Sequence, residues 1–157
     1  EINSVSSLLK PQLVKNNIEV EIECPKELTL PAHPTHIHQI IFNLTNNAIQ
    51  ALNETEREKK FIKIVCKELD KNTICLDVVD NGHGMSEEIQ AKLFKKMFST
   101  KADGTGLGLY TVANILDHEL EGNIFCHSKQ GVGTLFHVQI PIKGRFRILS
   151  KIFNTDL

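Results

Sequence analysis

The sequence lacks the features that mark several specialised classes of protein. It has no tryptophan, no internal repeat, no low-complexity tract and no apolar run near the roughly 18 residues that a membrane span needs. Neither sign of charge is in excess, because 18 Lys and Arg stand against 19 Asp and Glu and the formal net charge is -1. We therefore expect a soluble domain that is not a dedicated nucleic-acid binder and makes no membrane contact.

The cysteines lack the spacing of a metal or disulfide motif. Cys24, Cys66, Cys75 and Cys126 include no C-x-x-C pair, and three of them lie in apolar, strand-like runs. They are predicted to be reduced core residues, which favours a cytoplasmic location over secretion. The chain starts at Glu1 with no leader-like segment, so we expect a fragment of a longer protein.

The composition and the hydrophobic periodicity predict one domain that contains both helices and strands. Of 157 residues, 41% are hydrophobic and 24% are charged, as in an ordinary globular domain. The order of elements predicts an α+β fold: a two-layer α/β sandwich whose mixed, mainly antiparallel sheet packs on about three helices. The predicted elements are helix 1–16, strand 18–22, a helix from Pro34 to about Leu52, strands 61–68 and 73–80, a short helix from Ser86, helix 107–120 and a strand pair between Asn123 and Ile140.

The polar side of the long helix carries no charge, which is unusual for a solvated helix. Residues 33–53 include no Asp, Glu, Lys or Arg. Gln39, Asn43 and Asn47 are spaced four residues apart and share one face, with Gln50 close to the same line. An amide carbonyl oxygen is a hard, neutral ligand suited to Mg2+. The alternative is that these amides cap neighbouring backbone groups or face water.

A carboxylate stands at the end of the core-facing row of strand 73–80. Period-two alternation places Asp80 on the apolar side, so it must meet a fixed donor such as backbone, a side chain or a ligand amine. The sequence from Asp80 to Gly82 also fits a turn, which is the alternative interpretation. Gly82 and Gly84 would let a flat ring or a phosphate approach the backbone closely.

A glycine-rich segment precedes the helix predicted over residues 107–120. Gly104-Thr-Gly-Leu-Gly108 would expose backbone N–H groups at a helix start, which favours phosphate, and Lys101 could add a positive charge. The spacing fits neither a dinucleotide fingerprint nor a P-loop. A flexible hinge is the more common explanation for three alternating glycines alone.

In this order, the motifs resemble the ATPase-kinase superfamily that gyrase shares with histidine kinases. The resemblance covers about residues 8–141 and is closest to the ATP-binding catalytic domain of bacterial two-component sensor histidine kinases, which has the Bergerat fold. The matching segments are Asn43-Leu-Thr-Asn-Asn47-Ala48 (the N box), Asp80-Asn-Gly82-His-Gly84-Met85 (the G1 box), Phe94-Lys-Lys-Met-Phe98-Ser-Thr-Lys101 (the F box), Gly104 to Gly108 (the G2 box) and the closing turn Gly131-Val-Gly-Thr134.

The resemblance implies a role for each matching residue. Asn47 would coordinate Mg2+, Asn43 would assist at the metal or phosphates, and Asp80 would accept the adenine amine. Residues 95–106 would form a mobile ATP lid. Asn43 and Lys101 would be the catalytic residues. The remaining contacts implied for ATP are Gln50, Gly82, Gly84, Met85, Phe98, Gly104, Thr105, Gly106, Leu107, Gly108, Leu109 and Thr134.

One position implies transfer of phosphate to protein, not hydrolysis. Hydrolytic members of the superfamily carry a water-activating Glu where this chain has Asn43, an amide that cannot act as a base. The resemblance therefore implies transfer of the γ-phosphoryl group to a His on a separate helical hairpin, in a homodimeric full-length protein that passes phosphate to a response regulator receiver domain. Residues 1–16 would be the connector from that hairpin, residues 17–142 the catalytic domain and residues 143–157 a tail or linker.

Two alternatives and two departures accompany this interpretation. The alternatives are a serine-protein kinase of the anti-sigma-factor type and a nucleotide-binding switch without phosphotransfer. Lys95-Lys-Met97 replaces the acidic residue, proline and second aromatic common in the F box. Glu119-Leu-Glu-Gly122 stands where His-Gly-Gly is usual in the family.

Overall fold

The fold is a two-layer α+β structure, seen in a computed structural model that describes residues 2–25, 28, 32–95 and 106–142, the side chains of residues 2–6 excepted. The elements are α1 (Ile2–Lys15), β1 (Ile18–Glu23), α2 (Pro34–Asn53), β2 (Lys60–Asp70), β3 (Thr73–Asp80), α3 (Glu87–Gln90), α4 (Gly108–Asn114), a π-helical segment (Ile115–Leu120), β4 (Asn123–Lys129) and β5 (Gly133–Pro141).

The five strands form one mixed sheet in the order β1-β2-β3-β5-β4. Only β1 and β2 run parallel, and the other three neighbouring pairs are antiparallel. The predicted sheet is therefore confirmed. The strand predicted over 61–68 is longer than expected, because β2 runs from Lys60 to Asp70, whereas β3 has the predicted bounds.

The helices and one face of the sheet enclose a single hydrophobic core. Alternate residues of β3, namely Ile74, Leu76 and Val78, are buried in this core together with the apolar stripe of α2. The side chains between them on β3 point to the opposite face, which we call the outer face of the sheet. The outer positions of β4 are exposed. This arrangement confirms the predicted two-layer sandwich.

The helix at the N-terminus packs into the same core. Leu9 and Leu13 of α1 are buried and belong to the cluster that contains the core residues of α2 and the sheet. The predicted helix over residues 1–16 is thus present. Its proposed role as a connector from another domain stays a prediction. Among the described helices, none is both long enough and apolar enough to cross a membrane.

The starts of two helices agree with their sequence signals. Pro34 occupies the first turn of α2, and the His33 Nδ1 atom accepts a hydrogen bond from the Thr35 N–H at 3.3 Å. His33 therefore caps the helix. Ser86 caps α3 through its side-chain oxygen, and Glu87 stands in the first turn. A hydroxyl acceptor and a negative charge both stabilise a helix N-terminus.

The single helix predicted over residues 107–120 is wrong in its detail. The α-helix begins at Gly108 and continues only to Asn114, after which Ile115–Leu120 is π-helical. The segment ends at Glu121, whose φ of 49° is left-handed, and the Gly122 N–H donates to Leu116 O at 2.7 Å. Hydrophobic spacing does not distinguish an α-turn from one π-turn, because both keep the apolar residues on one side.

The cysteines are not all core residues. Cys66 and Cys75 are buried, Cys126 is half-buried, and Cys24 is exposed, which corrects the expectation for that residue. None of the four forms a disulfide, as expected. Cys24 follows the last residue of β1 at the edge of the sheet, where the alternation that would bury it has ended.

Candidate nucleotide-binding site

The end of β3 places the Asp80 carboxylate in the interior. Asp80 is 4% exposed and pairs with Ile62 on β2 and Thr134 on β5. Its Oδ1 atom accepts a hydrogen bond from the Gly82 N–H at 2.8 Å. Burial raises the pKa of Asp80 to about 6, although backbone hydrogen bonds from Gly82 and Thr134 oppose this shift. A carboxylate has further acceptor positions, so Asp80 can still receive an N–H group from a ligand.

Close packing explains the two glycines that follow Asp80. A Cβ atom at Gly82 would lie 2.7 Å from the Ala51 Cβ and 2.9 Å from Asp80 Oδ1. A Cβ at Gly84, whose φ is 66°, would lie 2.0 Å from the Lys129 carbonyl oxygen. The loop therefore sits directly against α2 on one side and β4 on the other. A side chain at either position would displace the neighbouring backbone, because no space is left for it.

A hydroxyl that the sequence analysis did not identify organises the same loop. The Ser128 Oγ atom accepts a hydrogen bond from the Met85 N–H at 2.8 Å, donates to Gly133 O at 3.0 Å and lies 2.9 Å from Thr134 Oγ1. The Gln90 amide donates to Met85 O at 3.1 Å and to Ser128 O at 3.0 Å. Ser128 lies in the inward-facing row of β4, where strand alternation predicts an apolar residue. A hydroxyl at such a position was the sequence signal that could have identified Ser128.

The amide side chains of α2 differ in their hydrogen bonding. The Asn43 Nδ2 atom donates to the Gln39 carbonyl oxygen at 2.8 Å, so the backbone-capping alternative is correct for that nitrogen. The Asn43 Oδ1 atom lies 3.1 Å from the position that a Cβ on Gly108 would occupy. The Asn47 Nδ2 atom is buried and has no hydrogen-bond partner among the described residues. Gln50 is half-buried one turn further along the helix.

The start of α4 lies beside these amides. Leu107 precedes the first helical residue, Gly108, and provides no side-chain hydrogen bond to the helix start. Gly106 has a φ of 65° and gives the chain its turn into the helix. Leu109 is half-buried. The N–H groups of the first helical turn have no partner within the helix itself and are suited to a ligand anion.

Four predicted ATP contacts lie outside the described residues. These are Phe98, Lys101, Gly104 and Thr105, together with nearly all of the lid predicted over residues 95–106. Their roles stay predictions.

Arg57 makes a long-range contact with the closing turn, residues 131–134. Its Nη2 atom donates to Gly131 O at 2.5 Å and to Val132 O at 3.3 Å. The Gly131 N–H in turn donates to His83 O at 2.7 Å. The closing turn and the loop after β3 are thereby held together. Sequence analysis missed Arg57 because its partners lie more than 70 residues away along the chain.

The structure thus brings the described parts of the predicted site to one end of the sheet. The loop after β3 touches α2 at Ala51, and the closing turn touches the Asp80 backbone at Gly133. The start of α4 touches α2 at Asn43. A buried carboxylate, the half-buried amide side chains of α2 and a helix start without a side-chain cap lie together in one polar region of an α+β sandwich. That combination defines a nucleotide-binding domain as a class.

Comparison with known proteins identifies the family. Residues 32–144 match the family of histidine kinase-, DNA gyrase B-, and HSP90-like ATPases. This match covers most of the chain, and the chain therefore belongs to that family. ATP is the nucleotide that membership implies.

Histidine kinases are among the proteins that this chain resembles. The sensor histidine kinase ZraS of Klebsiella oxytoca is 35% identical over 121 residues, which are 77% of this chain and 25% of that protein. The catalytic domain of the histidine kinase ThkA has a TM-score of 0.77 and 31% identity, with 90% of each chain covered. ThkA in complex with the response regulator protein TrrA has a TM-score of 0.74 and 28% identity, with 90% of this chain and 39% of that chain covered.

These similarities confirm the predicted fold and the predicted type of domain. The chain is a catalytic domain of the histidine kinase type within its ATPase family. It spans 18% of the length of one curated relative and 40% of another, which is less than half in both cases. The activity of a whole protein of that kind is therefore a matter for proposal.

Proposed function

We propose that this chain binds Mg-ATP and transfers the γ-phosphoryl group to a His on a separate dimerisation hairpin of the same protein, in the cytoplasm. The phosphate would then pass to the receiver domain of a response regulator. Support for this partner comes from ThkA, the structural neighbour that was solved with a response regulator. Residues 1–16 would connect the hairpin to the catalytic domain.

The observation that carries the proposal is the buried Asp80 at the end of β3. An ionised carboxylate in a low-dielectric position is stabilised when it receives an N–H group. The exocyclic amine of adenine supplies such a group. Gly82 and Gly84 pack closely against Ala51 and Lys129 and so fix the course of the loop that follows this carboxylate. We therefore assign adenine recognition to Asp80, with the two glycines shaping the adjoining loop.

The amides of α2 fit a magnesium ion at the phosphates. Asn43 directs its nitrogen to Gln39 O, which leaves its carbonyl oxygen turned toward the start of α4. The Asn47 Nδ2 atom is buried without a partner among the described residues, and as a donor it is suited to a phosphate oxygen. The metal ligand would be the Oδ1 atom of the same side chain. Asn47 would hold the ion and Asn43 would assist. Bound Mg2+ would neutralise phosphate charge during transfer.

The identity of residue 43 favours transfer over hydrolysis. An amide cannot take a proton from water, so the chain has no general base at this position. Catalysis then depends on holding the γ-phosphate in line with an acceptor that another domain provides. The start of α4 would donate backbone N–H groups to the phosphates, and Lys101 would add positive charge.

The proposal is tested by phosphotransfer to the hairpin of the full-length protein. The chain is mixed with Mg-ATP and the purified hairpin, and the phosphorylated residue is identified by its chemical lability. We expect an acid-labile, alkali-stable phosphohistidine on the hairpin and little phosphate release to water. An acid-stable phosphoserine on a partner protein would indicate the anti-sigma-factor type. Nucleotide binding without any transfer would indicate a switch module.

The metal assignment has its own test. We expect Asn47→Asp to disturb Mg-dependent binding, because an added carboxylate changes the charge beside the metal and phosphates. Calorimetric titration of an ATP analogue with and without Mg2+ measures this effect. Asn53→Asp, at the exposed end of the same helix, is the matched control. If the Mg2+ dependence of binding is the same in the unmodified chain and in both variants, Asn47 is not a ligand of the metal.

A further inference from the structure

A thiol, a carboxylate and an imidazole lie together on the outer face of the sheet. Cys75 and Asp77 of β3 project there because their neighbours Ile74, Leu76 and Val78 point into the core. His137 of β5 lies on the same face, and one ligand atom from each of the three lies within 4.8 Å of the others. We call Cys75, Asp77 and His137 the outer-face cluster.

Two paired strands hold the cluster in place. In the β3–β5 ladder, Asp77 lies opposite His137 and Cys75 lies opposite Gln139. The His137 Nδ1 atom lies 2.5 Å from Asp77 Oδ1, and its Nε2 atom lies 3.0 Å from Gln139 Nε2. The side chains of His137 and Asp77 are 22% and 18% exposed. Cys75 is buried beneath them. The ligand atoms are therefore set by strand register, and a metal ion would enter past the partly exposed His137 and Asp77.

We propose that the outer-face cluster binds a divalent transition-metal ion of the zinc class. A thiolate, an imidazole nitrogen and a carboxylate oxygen are the ligands that Zn2+ takes at distances of about 2.0–2.3 Å. Donor atoms around such an ion in a tetrahedron lie roughly 3–4 Å apart by that geometry, which the cluster can reach with small side-chain movements. Mg2+ is disfavoured because it prefers oxygen ligands. Three protein ligands leave a fourth position for water.

Binding has a defined proton balance. Because the Gln139 Nε2 atom is a donor, we assign His137 Nε2 as its acceptor and the His137 Nδ1–H as the donor to Asp77. Metal binding uses the Nδ1 lone pair, so the imidazole proton moves to Nε2, and the Gln139 side chain turns over to accept it with Oε1. The Cys75 thiol becomes a thiolate and releases one proton to the buffer. Gln139 thus acts as the outer partner that orients the histidine.

The cluster is separate from the predicted nucleotide site. None of its three residues is among the predicted ATP contacts, and they lie on the face of β3 opposite to Asp80. The inference therefore does not rest on the proposed kinase function. Loss of nucleotide binding would leave it standing, and loss of metal binding would leave the kinase proposal standing.

The test uses Co2+ and Zn2+ with the reduced chain. We expect one Co2+ per chain to produce a thiolate-to-cobalt charge-transfer band and the strong visible bands of tetrahedral coordination. Zn2+ should displace Co2+, and its affinity is measured by competition with a chromophoric chelator. Cys75→Ser should remove the charge-transfer band, and both Cys75→Ser and His137→Gln should weaken Zn2+ binding by tenfold or more. Gln139→Leu should weaken it by roughly 10-fold to 100-fold.

Two controls distinguish this site from surface binding. His127→Gln removes an exposed histidine from the neighbouring strand β4, and Cys24→Ser removes the exposed thiol. Both variants should bind metal as the unmodified chain does. The proposal is overturned if the unmodified chain gives no charge-transfer band, if Cys24→Ser loses the band, or if Zn2+ binds the folded Cys75→Ser variant equally well. If Cys75→Ser fails to fold, the cobalt spectra of the unmodified chain and of Cys24→Ser together still decide the matter.

Discussion

At the scale of single residues, burial of the Asp80 carboxylate has two opposite effects. It lowers the stability of the fold when the group is charged, and it provides an acceptor for a ligand. Folding removes this group from water, and the pKa of Asp80 rises from 3.8 to about 6. The charged form is therefore disfavoured by folding. The group stabilises the fold most when it is protonated, below about pH 3.8, and this contribution is lost as the pH rises through about 6.

We predict that Asp80→Asn makes the nucleotide-free protein more stable at about pH 8 while it weakens nucleotide binding. A shift of roughly two pKa units corresponds to about 3 kcal/mol, which is the upper limit of the expected gain because Asn keeps a buried polar group. Urea unfolding measures the stability, and calorimetry measures the affinity for an ATP analogue. Asp117→Asn, on an exposed carboxylate, should change neither. A variant that binds ATP normally would contradict the assignment of adenine to Asp80.

The same group predicts a pH dependence of nucleotide binding. The ionised carboxylate accepts the adenine amine, so affinity should fall as the pH drops through about 6, by roughly tenfold per pH unit below that value. Titrations at several pH values between about 5 and 8 measure this slope. In the Asp80→Asn background the slope should disappear. A slope that is the same in both proteins would assign the titration to a different group.

At the scale of elements, the loop after β3 and the β4–β5 turn depend on two glycines in left-handed backbone conformations. Gly84 and Gly131 have φ values of 66° and 75°. A Cβ at Gly84 would meet the Lys129 carbonyl oxygen at 2.0 Å, whereas a Cβ at Gly131 would meet nothing within 4 Å. A side chain would therefore strain the backbone at both positions, but it would clash with neighbouring atoms only at Gly84.

We predict that Gly84→Ala destabilises the domain more than Gly131→Ala. Left-handed strain should cost about 1 kcal/mol at either position. Displacement of β4 or of the loop should add about 2 kcal/mol at Gly84 only. Chemical denaturation of both variants measures the difference. If the two losses are equal, the loop is not packed against β4 as described.

At the scale of the whole molecule, α1 is part of the fold as well as the proposed connector. The side chain of Leu9 is 1% exposed in the common core, whereas its neighbour Leu8 is 62% exposed. A helix that packs in this way is held in a fixed orientation to the sheet. If α1 connects the proposed hairpin to this domain, movement of that hairpin would act on the sandwich through α1.

We predict that Leu9→Ala lowers the free energy of unfolding by about 2–5 kcal/mol. Leu8→Ala should change it by less than about 0.5 kcal/mol, because that side chain is exposed. Both are measured by urea unfolding of the same chain. Equal, small effects would show that α1 is a detachable connector and does not share the core.

The sequence by itself determined the fold class, most elements and the inward direction of Asp80. These follow from local rules: periodicity selects helix or strand, alternation selects the face, and the motifs stand in a fixed order. Local signals also located the start of α2 at Pro34. They failed for the π-helical turn, because its hydrophobic spacing resembles that of an α-helix.

Only the tertiary structure decided which distant residues meet. Ser128, Gln90 and Arg57 support the predicted site through contacts that span tens of residues, which no local pattern encodes. The outer-face cluster likewise exists because the register of β3 and β5 places His137 beside Asp77. A slip of one residue would turn His137 to the other face of the sheet. Register is set by the packing of the whole sheet against its helices, and for this reason such contacts appear only in the folded protein.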